Sequence, residues 1–207
     1  MLKLNRRAMI ALTAAATAAM TPAFAQEATT TDEGPGDFSL GSPDAPVKII
    51  EYASYTCPHC ANFHKNVFKN LKAEYIDTGK VHFTLREVYF DRYGLWAAMV
   101  ARCGGEARYF GIHDMLFDKQ QDWAGSQDPM QAVQKLREIG LASGLDNAAL
   151  DACLNDQATA EALIARFEKN MAADEVKGTP TIFINGDRHS NMSWADLKAI
   201  LDEKLSG

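Results

Sequence analysis

The stretch from Val47 to Val88 changes hydrophobic period twice, and this limits the possible folds more than any other feature of the chain. "VKIIEYAS" (47–54) is a short run of branched and aromatic residues bounded by "SPDAP", as a buried strand would be. Cys60, Phe63, His64, Val67, Phe68, Leu71 and Tyr75 then recur at helical spacing, and Asp77 to Gly79 close that helix. "VHFTLREV" (81–88) alternates as a second strand. These three segments predict a β-α-β unit, with Cys57 and Cys60 placed where the first strand gives way to the helix.

The middle, roughly 91–174, predicts only helices separated by Gly-containing breaks, with Trp96, Phe110, Phe117 and Trp123 as its simplest core. "TPTIFING" (179–186) returns to strand. Asn185-Gly186 signals a tight hairpin into "DRHS", and Ser193 with Asp196 reads as a capping box for a final helix, "WADLKAILDEKL". The last strands can bury their faces only against the first sheet. The order therefore predicts one α/β domain, residues 38–207, interrupted by a helical insertion at about 91–174.

Residues 1–25 read as a signal peptide: Lys3, Arg6 and Arg7 without an acid, an uncharged run "AMIALTAAATAAM", then "AFA" before Gln26. Arg6-Arg7 is compatible with either general or twin-arginine export. Residues 26–37, polar with Gly and Pro, read as a flexible leader. Without the three basic residues of the signal, 18 Lys and Arg face 27 Asp and Glu, a net charge of −9. This argues against nucleic acid and against anionic membrane surfaces as partners. The expected product is a soluble exported protein of the periplasm, where its four cysteines, Cys57, Cys60, Cys103 and Cys153, meet oxidising conditions.

A helix N-terminus offers unpaired N–H groups and partial positive charge, so a thiolate placed there is stabilised. Pro58 fits the first turn, where its missing N–H costs nothing. His59, when protonated, adds positive charge beside Cys57. Cys60 lies one turn along on the apolar stripe and should be shielded. The expectation is an exposed, acidic Cys57 and a buried partner, whose disulfide would be a strong oxidant. Zinc is the competing use, through Cys57, Cys60, His64 and His59, but a structural zinc module usually brings a second ligand pair at fixed spacing, and no metal is expected. A purely structural disulfide would close too short a loop to stabilise much. His64, on the apolar face, reads as a packed, hydrogen-bonded core histidine.

The strand, the Cys-Pro-His-Cys at a helix start, the later Thr-Pro before a hairpin and the helical insertion together resemble the DsbA-like thiol–disulfide oxidoreductases of the thioredoxin superfamily. "IIEYASYTCPHC" and "GTPTIFING" carry the resemblance, which spans about residues 38–206. It implies a thioredoxin fold with an inserted helical domain, and an enzyme that introduces disulfides into exported proteins without a bound cofactor. It makes Cys57 the nucleophile, Cys60 the resolving cysteine, and Pro58 and His59 the residues that tune redox poise. Glu51 would be a buried acid serving Cys60. Thr179-Pro180 would be a cis peptide whose backbone pairs with substrate. If Cys57 pairs with Cys60, Cys103 is left to pair with Cys153, the second disulfide of some DsbA-like proteins. Reduced exported proteins would be its substrates, and a quinone-linked membrane partner resembling DsbB would reoxidise it. A monomer is expected, since about a dozen residues after Gln26 leave no room for the dimerisation domain of DsbC-like isomerases. The best-known oxidases carry Val where this chain has Thr179, so isomerase or reductase activity on the same fold is the alternative.

Overall fold

The computed structural model describes residues 35–206; the signal-peptide reading and most of the leader lie outside them. The sheet has five strands in the order β1-β3-β2-β4-β5. They are β1 Phe38–Leu40, β2 Val47–Ala53, β3 Val81–Glu87, β4 Thr181–Ile184 and β5 Asp187–Ser190. β2 and β3 run parallel, joined by the crossover helix; the other pairings are antiparallel. The fold is the α/β, thioredoxin-like one expected.

β2 is central, so both of its faces are covered. Alternation sends Val47, Ile49, Glu51 and Ala53 to the main core and Ile50 and Tyr52 to the other face, where Phe167, Met171 and Val176 pack. β3 divides the same way, with Val81, Phe83, Leu85 and Glu87 inward. Glu87 survives burial because Arg102, Tyr89 and Tyr109 all donate to its carboxylate, at 2.6–2.8 Å.

The crossover helix begins as α1 (Pro58–Phe63) and continues without a break through a wider-wound π segment (His64–Phe68), α2 (Lys69–Leu71) and a second π segment (Lys72–Ile76). Its buried side is the apolar stripe, Cys60, Phe63, His64, Val67, Phe68, Leu71 and Tyr75. The π winding was not foreseen.

Six helices follow between the strands: α3 (Arg92–Cys103), α4 (Gly105–Asp118), α5 (Gln120–Trp123), α6 (Pro129–Ala142), α7 (Asn147–Leu154) and α8 (Gln157–Ala173). Asp91, Asp128, Asp146 and Asp156 cap α3, α6, α7 and α8, each accepting a backbone N–H of the first turn. Asn185 and Gly186 both adopt positive φ, 49° and 90°, as the β4–β5 turn requires. Ser193 and Asp196 hydrogen-bond at the start of α9 (Trp194–Ser206). Among the described residues no helix is long and apolar enough to cross a membrane.

Two sequence readings need correction. β1 had no strand assigned to it, being three residues long; it exists because β3 offers an open edge. The leader reading extended to Asp37, but this carboxylate is bound by Arg86 and Arg166 at 3.1 and 3.0 Å, so the folded body already includes it.

Candidate active site

Cys57 sits at the N-cap of α1 in extended conformation, with Pro58 as the first helical residue. The loop that presents it is fixed from three sides. The Cys57 N–H bonds the Ser54 carbonyl at 3.1 Å. The Thr56 hydroxyl donates to Asp91 at 2.7 Å, tying the loop to the start of α3. Gln120, buried on α5, donates to the carbonyls of Tyr55 and Cys57 at 2.8 and 2.9 Å. Sequence reasoning missed Gln120 and Asp91, since a glutamine in "DKQQDW" carries no pattern that points across the fold.

The two cysteines are unbonded in this structure and differ sharply in setting: Cys57 is half-buried, Cys60 is 0% exposed. The Cys57 thiol is lowered to about 5. The largest cause is a hydrogen bond from the Cys60 thiol; donation from Thr179 and from the backbone N–H groups of Cys60 and His59 adds to it, against the cost of burial. Burial, together with the Cys57 and Glu51 charges, pushes the Cys60 thiol strongly up. His59 is exposed and acts on Cys57 through its backbone N–H. Pro58 is exposed beside it.

Glu51 points from β2 into the core and is 3% exposed. Burial raises its carboxyl to about 8, with a further contribution from the charge of Cys57. Because β2 is central in the sheet, Glu51 has no exposed edge to face.

The Thr179–Pro180 peptide is cis and lies against the cysteines, with the Cys57 thiol donating to the Thr179 carbonyl at 3.5 Å. The Thr179 hydroxyl is buried beside both sulfurs without a hydrogen-bond partner among the described residues, and it is placed to donate to a thiolate. The structure thus brings together Glu51, Cys57, Pro58, His59, Cys60, Thr179 and Pro180. An open groove of about 600 Å³ runs beside Pro58 and Ala61, bordered by Phe117 and Gln121.

Cys103 and Cys153 lie apart from this site, joined by a disulfide that ties α3 to α7. His64 is packed between Phe68 and Phe117, but among the described residues neither ring nitrogen has a hydrogen bond. The expectation of a hydrogen-bonded histidine is corrected: the polar group nearest its Nε2, Asp114 Oδ1 at 3.3 Å, lies outside hydrogen-bond geometry.

A family model described as Thioredoxin matches residues 33–203. A Rickettsia bellii protein, provisionally named a protein-disulfide oxidoreductase, is 34% identical over 170 residues, covering 82% of this chain and 64% of that one. The chain spans 60–64% of the length of such Rickettsia relatives. Disulfide bond formation protein D of Bacillus subtilis is 25% identical over 185 residues, covering 81% of this chain and 77% of its own. Among solved structures, alpha-DsbA1 of Wolbachia pipientis superposes with a TM-score of 0.76 at 30% identity, over 82% of this chain and 90% of that one.

Proposed function

We propose that this chain, which belongs to the DsbA-like group of the thioredoxin family, introduces disulfides into exported proteins by donating a Cys57–Cys60 disulfide. The observation that carries the reading is the asymmetry of the pair: a half-exposed thiol held near 5 at a helix start, and a partner fully buried behind it.

The chemistry follows from that asymmetry. A substrate thiolate attacks the Cys57 sulfur, the Cys57–Cys60 bond breaks, and Cys60 leaves and takes up a proton. Glu51, protonated at neutral pH by its burial, is the group beside it able to supply that proton. A second substrate thiolate then attacks the substrate sulfur of the mixed disulfide. Cys57 departs as a thiolate, which the helix N–H groups and the Cys60 thiol stabilise. The substrate loses two electrons and the enzyme pair gains them. Because the reduced form holds a stable thiolate, the disulfide is the less favoured partner and hands itself on readily.

Thr179 contributes backbone beside Cys57, where an extended substrate segment can pair as an added strand. The enzyme acts in the periplasm after export, and a quinone-linked membrane protein resembling DsbB returns the pair to its disulfide. The test is the reduction potential of Cys57–Cys60, read by equilibration in glutathione buffers. A value near −120 mV, as for strong oxidants, supports oxidation as the task; one near about −270 mV assigns reduction instead.

A further inference from the structure

We propose that His64, His113 and Asp114 form a binding site for a divalent metal ion of the zinc class, bridging the redox helix and helix α4 of the insertion. The three side chains come from two elements far apart in sequence, yet one donor atom from each lies within 4.8 Å of the others. His64 opens the π segment His64–Phe68, a winding that often marks functional sites.

His64 is 2% exposed, and burying imidazole nitrogens without partners costs free energy unless something occupies them. Its Nε2 stands 3.3 Å from Asp114 Oδ1, yet outside hydrogen-bond geometry. Two ligands each about 2.0–2.1 Å from a tetrahedral zinc are separated by roughly 3.3–3.4 Å, so this pair already has the spacing of a coordination edge. His113 Nδ1 meets the Tyr55 hydroxyl at 3.2 Å, so a metal would take the ring's other nitrogen. Orientation of a histidine ligand by a hydrogen bond on its other nitrogen is a recurring feature of metal sites.

The surroundings suit the same occupant. Phe68 and Phe117 wall the rings, while the Asp114 side chain, 42% exposed, leaves a path from solvent. The nearby Lys69 is neutralised by Asp118 at 2.8 Å. Two imidazoles and one carboxylate favour zinc over calcium or magnesium, and three protein ligands leave a fourth position for water.

The redox cysteines can also hold zinc, so the test uses full-length oxidised protein, in which Cys57 and Cys60 are bonded to each other. Zinc titration by calorimetry and elemental analysis after gel filtration should give one equivalent, and cobalt(II) should give the visible bands of a low-coordinate site. Asp114→Asn, on the solvent side of the cluster, should weaken binding at least ~10-fold, and Tyr55→Phe, which removes the orienting hydroxyl, ~10-fold or less. His113→Gln should abolish the cobalt bands. Zinc bound only by the reduced protein, no binding at all, or binding unchanged by Asp114→Asn and His113→Gln would each overturn the proposal.

Discussion

Gln120 donates to the carbonyl oxygen of Cys57 across 2.9 Å, and the same amide nitrogen holds the Tyr55 carbonyl at 2.8 Å. One side chain from the helical insertion thus fixes the backbone on which the exposed cysteine rides.

Gln120→Ala leaves two carbonyls without this donor and opens space behind the loop that presents Cys57. We expect a loss of about 1–3 kcal/mol in urea unfolding, together with a higher Cys57 pKa as the sulfur drifts from its N–H donors. Thiolate absorbance followed against pH measures the second effect. Unchanged stability and an unchanged titration would show that the loop holds its shape unaided.

Alkylation should distinguish the two cysteines. With Cys57 lowered to about 5, iodoacetamide should modify it at pH 6 nearly as completely as at pH 8, while Cys60 stays unmodified in the folded protein. Peptide mapping after a timed reaction reads this out, and equal labelling of both only above pH 8 is the contrary result.

The same shift fixes a pH dependence of stability. The Cys57 pKa is lower folded than its ordinary value of 9, so the stabilisation is complete above pH 9 and lost as pH falls through about 5. Reduced protein should therefore gain stability relative to oxidised protein as pH rises across that window. Parallel unfolding curves for the two forms at pH 5, 7 and 9 check it; a constant difference counts against the helix-start thiolate.

Glu51 has the opposite sign. Its carboxyl is raised from 4.5 to about 8, so its contribution is complete below pH 4.5 and lost as pH rises through 8. In oxidised protein, Glu51→Gln should leave stability little changed at pH 4.5 and raise it at pH 9, on the order of 2–4 kcal/mol. The variant should also slow formation of the mixed disulfide at Cys57, the step in which Cys60 takes up a proton. A parallel pH profile for both proteins would place Glu51 in water.

Cys103→Ser with Cys153→Ser opens a loop of 50 residues, and the chain-entropy description gives a loss of about 4 kcal/mol. Cys57 alkylation should be unaffected, because the bond joins α3 and α7 away from the loop that presents Cys57. A shifted Cys57 titration in the double variant would mean that the two disulfides communicate.

Much of the fold was legible because period and punctuation are local. The change from strand to helical spacing at Cys57, the Asn185-Gly186 turn and the Ser193–Asp196 cap each lie within a few residues, and each appears in the structure. β1 was not legible: three residues carry too little periodicity, and the strand depends on a β3 edge more than 40 positions away. Asp37 was hidden for the same reason, since its partners Arg86 and Arg166 are remote in sequence.

By itself the sequence determined where the Cys57–Cys60 pair sits, at a strand-to-helix junction with Pro58 opening the helix, because those preferences act over neighbouring residues. Only the tertiary structure decided what surrounds the pair. It made β2 central and so buried Glu51, brought Thr179 against the sulfurs, and sent Gln120 across to the Cys57 carbonyl. It also set His64 beside His113 and Asp114. These are contacts between distant segments, and their burial and charge follow from packing that no local pattern encodes.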